Sequence, residues 1–138
     1  MAKNADALKQ VPLLSGLSHR HLARLADKAK ERQFKAGTAV VQEGKMSGIG
    51  FFIISAGEAS VRSGGREVAR LGPGDHFGEL ALIGERERTA TVTADTPLEC
   101  LEITAWDFRD FVKSDAEVSW KLLQHVIDQL LGQRTRLA

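Results

Sequence analysis

The stretch from Leu71 to Ala94, LGPGDHFGELALIGERERTATVTA, holds the residues with the clearest chemistry. Gly72, Gly74 and Gly78 allow tight turns and close approach of the backbone to another group. Glu79-Leu80-Ala81-Leu82-Ile83 then offers one or two turns of good helix formers, and Gly84 ends them. A short helix between strands presents free N–H groups at its start, and these favour an anion. Arg88 follows nine residues after Glu79, at the head of the alternating run Thr89-Ala90-Thr91-Val92-Thr93. A guanidinium there can fork onto phosphate oxygens. A simple phosphate site should avoid a neighbouring carboxylate, so Glu79 makes sense if the ligand also offers a hydroxyl close to its phosphate. A ribose 3′,5′-cyclic phosphate has that arrangement, with its 2′-hydroxyl beside the phosphate ring. Each residue also has a plainer role to weigh. Arg88 could pair with Glu85 or Glu87 on the surface, Glu79 could favour a helix start through the dipole, and Thr89 could be a simple strand former.

These side chains need elements to hold them. Residues 31–103 are dense in glycine and short strands. Turn signals recur at Lys35-Ala36-Gly37, Glu43-Gly44, Ala56-Gly57, Ser63-Gly64-Gly65 and Gly72-Pro73-Gly74. Between them lie short apolar or alternating runs at Thr38–Gln42, Gly50–Ser55 and Val68–Leu71. Many short strands at such spacing predict a roll, sandwich or barrel. Residues 3–30 read as helical, with Ser18 as N-cap and Leu22, Leu25, Ala26 and Ala29 at helical spacing. From Trp106 to Leu137 the pattern is helical again. Val118, Leu122, Val126 and Leu130 form one row and Leu123, Ile127 and Leu131 the next. The expected class is α+β: a jelly-roll-like β-roll flanked by N-terminal and C-terminal helices. The expected organisation is a single domain over 1–138, with helices in 3–30, the roll in 31–103 and closing helices in 104–137.

Composition sets limits on the function. A chain of 138 residues suits one domain, and its apolar content of 43% and charged content of 27% are ordinary for a globular protein. The net charge of +1, from 19 basic and 18 acidic residues, lacks the basic excess that neutralises many phosphates. Direct nucleic-acid binding is therefore not expected, while a single anion fits. Cys100 has no second cysteine to bond, which suits a reducing cytosol. The longest wholly apolar run, Phe51–Ile54, is far short of the ~20 residues of a membrane span. Met1–Gln10 lacks the apolar core of a secretory signal. A soluble, cytoplasmic protein is expected. His19 and His21 are two residues apart on a helix and face different ways. His76 reads as a loop residue and His125 is isolated, so no metal site is expected. The spacing Gly72-x-Gly74-x-x-x-Gly78 is wrong for a dinucleotide loop and has no βαβ unit around it. Cys100 reads as a core strand residue. With no nucleophile–base pair in view, neither an enzyme nor a cofactor is expected.

The run Phe77-Gly78-Glu79-Leu80-Ala81-Leu82, followed by Arg88-Thr89-Ala90-Thr91-Val92, resembles the phosphate-binding cassette of cyclic-nucleotide-binding domains. That family includes the bacterial catabolite activator protein, cyclic-nucleotide-dependent kinases and cyclic-nucleotide-gated channels. The resemblance extends through Phe34-Lys35-Ala36-Gly37 and Gln42-Glu43-Gly44 to the closing helix, and it places the cassette at 77–92. It implies that Glu79 binds the ribose 2′-hydroxyl and that Arg88 pairs with the cyclic phosphate. Gly78, backbone N–H groups near Leu80, Ala81 and Ala90, and the Thr89 side chain would complete that shell. Val61, Val68 and Leu71 match the apolar wall beside the base, and Gln129, Gln133 and Arg134 match base contacts on the lid helix. Glu87 departs from the pattern, since many members have proline there.

The implied function is a regulatory sensor for cAMP whose final helix moves on binding. The alternatives are a cGMP sensor, because a threonine after the cassette arginine often accompanies cGMP use, and a scaffold that keeps the fold without ligand. The implied partners are the cyclic nucleotide and either an effector domain outside this chain or a second copy of it. A second copy would meet a seam on the final helix, where Trp120, Leu123, Ile127, Leu130, Arg134 and Leu137 alternate by three and four residues. Gly132 and Arg134 weaken the end of that seam, and the same stripe could instead pack on the roll.

Overall fold

Glycine turns between β-branched and aromatic runs break the middle of the chain into strands. The computed structural model describes residues 2–44, 50–78 and 90–137. Among these the strands are β1 (Lys30–Phe34), β2 (Ala39–Val41), β3 (Gly50–Ala56), β4 (Ala59–Ser63), β5 (Arg66–Leu71), β6 (His76–Phe77), β7 (Thr91–Ala94) and β8 (Leu98–Thr104). They form two antiparallel sheets, ordered β1-β8-β3-β6 and β2-β7-β4-β5. With helices flanking them in sequence, this is the expected α+β β-roll, one of the three architectures that the strand spacing left open.

The β3 run GFFIISA supplies both faces of its sheet, because successive side chains alternate. Phe52 and Ile54 join Val41, Ala59, Phe77, Val92, Ala94, Leu98 and Cys100 in one buried cluster, with Phe34, Val40, Val61 and Leu71 packed against it. Phe52 stacks on Phe77 with ring centroids 5.1 Å apart and meets Phe34 edge-on at 6.0 Å. Phe51 packs edge-on against Phe108 at 6.3 Å. Each such aromatic pair contributes about 0.5–1.5 kcal/mol beyond area burial. The β3–β4 turn requires glycine. Gly57 has a φ of 93°, and a Cβ there would collide with the Pro97 carbonyl oxygen.

The chain divides into two compact units, one of Lys28–Arg109 and one of the two chain ends, up to Asp27 and from Asp110. The helices are α1 (Ala2–Lys9), α2 (His19–Ala26), α3 (Ala105–Lys113) and α4 (Ala116–Leu137), with a 3₁₀ turn at Pro12–Leu14. Ser18 caps α2 as its position predicts, accepting the His21 N–H at 3.2 Å. Leu22, Leu25 and Ala26 are buried. The helix stops at Ala26, so Ala29 lies in the turn before β1 and is half-buried. The final helical pattern breaks at Ser114-Asp115, because the Asp115 carboxylate accepts the Glu117 N–H at 2.9 Å and starts a new helix. Of the apolar rows expected on α4, Val118 and Leu122 are buried, while Leu123, Val126, Ile127, Leu130 and Leu131 are 40% to 53% exposed. Among the described residues no helix is long and apolar enough to cross a membrane.

Candidate functional site

The chain enters segment 79–89 from β6 of one sheet and leaves it into β7 of the other. The approach is held by three hydrogen bonds of 2.8 Å. Asp75 Oδ2 accepts the Gly72 N–H, the Gly74 N–H donates to the Ile54 carbonyl, and the Ile54 N–H donates to the Asp75 carbonyl. β6 then pairs with β3, Phe77 opposite Phe52 and His76 opposite Ile53. His76 is thus a strand residue and not a loop residue, because β3 offers it a pairing edge that the local sequence does not reveal. Gly78 follows with a φ of 92°, a left-handed backbone that a side chain resists. The direction in which the chain leaves β6 therefore rests on a buried ring and a glycine.

The exit is equally constrained. β7 lies between β2 and β4, with Val92 opposite both Val41 and Val61. Glu43, just past β2, donates its N–H to Thr91 Oγ1 at 2.9 Å. Its carboxylate accepts the Gly64 N–H at the tip of the β4–β5 hairpin, at 3.0 Å to Oε1 and 3.4 Å to Oε2. Gly64 and Gly65, with φ of 61° and 80°, form that tip, and two left-handed residues suit a tight hairpin.

Of the residues matched to the ligand shell, Gly78 and Ala90 stand at the two ends of the segment and are half-buried. Glu79, Leu80, Ala81, Arg88 and Thr89 lie outside the described residues, as does the short helix expected over 79–83. The three matched to the apolar wall separate. Val61 and Leu71 pack against the core cluster. Val68 is the extra residue where Val61 pairs with Ala69 and Arg62 with Glu67, and it is 60% exposed. Gln129 is exposed on α4, in the other unit, and the side chains of Gln133 and Arg134 lie outside the described residues.

Sequence reasoning missed a polar cluster in the unit of the chain ends. His21 is buried, with Nδ1 2.9 Å from Ser18 Oγ and Nε2 3.1 Å from Asp115 Oδ2. Nε2 is buried without a hydrogen bond of good geometry, so its approach to Asp115 is an electrostatic contact. Arg24 Nη1 donates to the same oxygen at 3.0 Å. Burial works to raise the Asp115 pKa, but the Arg24 hydrogen bond, the Glu117 and Val118 N–H groups and the nearby His21 ring together hold it below its ordinary value. An aspartate just before a helical pattern is an N-cap signal, and that signal could have found Asp115. In the roll, Cys100 is a buried core residue, and burial pushes its thiol up to about 11.

Comparison with known proteins follows the same lines. The family model for the cyclic nucleotide-binding domain matches residues 31–115, which include β2 to β8 and the whole segment between Gly78 and Ala90. The chain is 40% identical over 114 residues to a cAMP-dependent protein kinase regulatory subunit of Eremothecium gossypii, covering 82% of this chain and 25% of that protein. It is 36% identical over 126 residues to cGMP-dependent protein kinase, isozyme 1, of Drosophila melanogaster, covering 86% of this chain and 16% of that protein. The chain thus spans a quarter or less of the length of these curated relatives. A solved structure, the N-terminal domain of a transcriptional regulator from Streptomyces coelicolor, matches with a TM-score of 0.85 at 26% identity and covers 96% of each chain. On this agreement of fold, cassette frame and family match, the chain belongs to the cyclic nucleotide-binding domain family.

Proposed function

We propose that this chain is a cytoplasmic regulatory sensor, not an enzyme, that binds cAMP in segment 77–92. The observation that carries the reading is the frame of that segment. It begins at a stacked Phe77 and a left-handed Gly78, ends in a strand paired on both sides, and encloses Glu79 and Arg88 nine residues apart. Arg88 pairs with the cyclic phosphate, and Glu79 accepts the ribose 2′-hydroxyl. The Gly78 turn, N–H groups near Leu80, Ala81 and Ala90, and the Thr89 hydroxyl complete the shell. The base wall is assigned to the β4–β5 hairpin, to the exposed Val68 with the more deeply packed Val61 and Leu71 behind it, and Gln129, Gln133 and Arg134 are the candidate base contacts. Ligand then shifts a pre-existing equilibrium of α4 by its differential affinity for two helix positions. The signal passes to an effector outside this chain or to a second copy. The exposure of Trp120, Leu123, Ile127 and Leu130 supports a partner on α4. Selectivity for cGMP is the second reading, favoured by Thr89 and by the identity with the Drosophila kinase.

Calorimetric titration with cAMP, cGMP and 2′-deoxy-cAMP tests these assignments. Arg88→Ala should weaken cAMP binding by about 2–4 kcal/mol and leave the fold intact. The 2′-deoxy ligand should bind more weakly than cAMP, and Glu79→Gln should narrow that gap. Hydrogen exchange should also slow over 116–137 when cAMP is added. An Arg88→Ala variant that binds as tightly as the parent refutes the phosphate assignment. Unchanged exchange over 116–137 beside slowed exchange over 78–90 would mean a site without a switch.

A further inference from the structure

We infer that Glu43 is a positioning residue that keeps the base wall in register with the phosphate loop. The inference rests on the reading of 77–92 as the phosphate site. Glu43 uses two separate parts of itself. Its main-chain N–H is bound to Thr91 Oγ1, three residues after Arg88, and its carboxylate is bound to the Gly64 N–H, three residues after Val61. One residue therefore joins the exit of the phosphate loop to the tip of the hairpin that carries Val61, Val68 and Leu71.

The sheet leaves a task for such a tie. β5 is an edge strand, and the pairing of β4 with β7 ends at Arg62 opposite Thr91. β2 pairs with β7 through an irregular register that stops at Val41. Past those pairs and the Ser63–Arg66 pair that closes the hairpin, only the Gly64-Gly65 tip is without a ladder partner in the sheet. The Glu43 contacts continue the connection with a side-chain hydroxyl and a carboxylate, and Gly44, at a φ of 79°, turns the chain away directly afterwards. A tie at this place acts on the distance between the phosphate end and the base end of a bound nucleotide, and it touches neither end itself.

A residue that merely stabilised the fold would weaken every cyclic nucleotide alike, whereas a tie that sets register acts on the part of the affinity that comes from the base. Competition binding with cAMP and cytidine 3′,5′-cyclic monophosphate separates the two, because these ligands share phosphate and ribose and differ in the base. Glu43→Ala should weaken cAMP on the order of tenfold and shrink the preference for cAMP at least about threefold. Glu43→Gln should restore both, since its amide oxygen still accepts the Gly64 N–H. Thr91→Val, which removes the other attachment, should narrow the preference as well, and the double variant should be no worse than the weaker single one. An unchanged preference in Glu43→Ala, a failure of Glu43→Gln to restore it, or additive effects would overturn the tie. If Arg88→Ala abolishes cAMP binding while Glu43→Ala keeps the preference, the tie alone falls. If the parent protein binds neither nucleotide, or Arg88→Ala binds normally, the phosphate-site reading falls and the tie with it.

Discussion

Phe77→Ala tests whether a buried ring aims the binding segment. Phe77 is 7% exposed, occupies half of the two-residue strand β6, and stacks on Phe52 at 5.1 Å and 20°. Returning a phenylalanine side chain to water costs about 1.5–3 kcal/mol, and losing the stacked pair adds about 0.5–1.5 kcal/mol. The remaining void leaves Phe52 and Ile54 underpacked, so the loss should reach about 3–4 kcal/mol, in the usual range for a buried phenylalanine. Phe77→Leu keeps most of the volume and should lose about 1 kcal/mol. Urea denaturation followed by circular dichroism measures both, and an unchanged slope against denaturant would show that the change lies in stability. The functional half of the prediction uses cAMP titration where the variant is still folded. Gly78 follows Phe77 directly, so freeing the strand should weaken binding in Phe77→Ala and spare Phe77→Leu. A Phe77→Ala variant within about 1 kcal/mol of the parent would refute the packing argument. A destabilised variant with unchanged cAMP affinity would refute the claim that the ring sets the direction of the segment.

Two further outcomes concern pH. Burial favours the neutral Cys100 thiol, whose pKa rises from 9.0 to about 11, so its contribution is full below pH 9.0 and is lost as pH climbs from there through about 11; urea midpoints should fall over that window more steeply in the parent than in Cys100→Ala. Asp115 is shifted the other way, so its contribution is present above its ordinary value of 3.8 and is lost as pH falls below it. Asp115→Ala should melt lower than the parent at pH 7, and the difference should narrow in acid; a difference that stays constant into acid would assign the effect to something other than the carboxylate.

Most of the roll can be read in the sequence because its strands are local objects. Gly57 and the Gly64-Gly65 pair mark turns whose backbone demands glycine, and the β3 run is apolar on both faces. Ser18 as a cap is equally local, since its bond reaches three residues. The misreadings arise where a long-range partner decides. His76 becomes a strand residue because β3 pairs with it. His19 and His21 do face different ways, one exposed and one buried, but the Asp115 cluster around His21 joins residues 91 apart and leaves no local mark. Apolar periodicity ran on through Ser114-Asp115, although a single capping carboxylate was enough to restart the helix there.

The candidate site divides along the same physical line. Glu79 and Arg88 are visible because their proposed task needs particular side chains at a fixed interval, and an interval survives in a linear string. The frame that would orient them relies on other means. It uses a ring stacked on a ring, carbonyl and N–H groups shared between β3 and the Gly72–Asp75 turn, and a carboxylate bound to a backbone N–H. Backbone groups are the same in every residue, so their partners leave no mark on composition or spacing. Glu43 illustrates the consequence. In the string it is the first residue of Glu43-Gly44, a turn signal, whereas in the fold it touches Thr91 on one side and Gly64 on the other. A charged residue in such a turn would ordinarily be assigned to solvent. Glu43 is indeed exposed, yet its two hydrogen bonds make it the residue at which a change remote from the phosphate should alter which base is preferred.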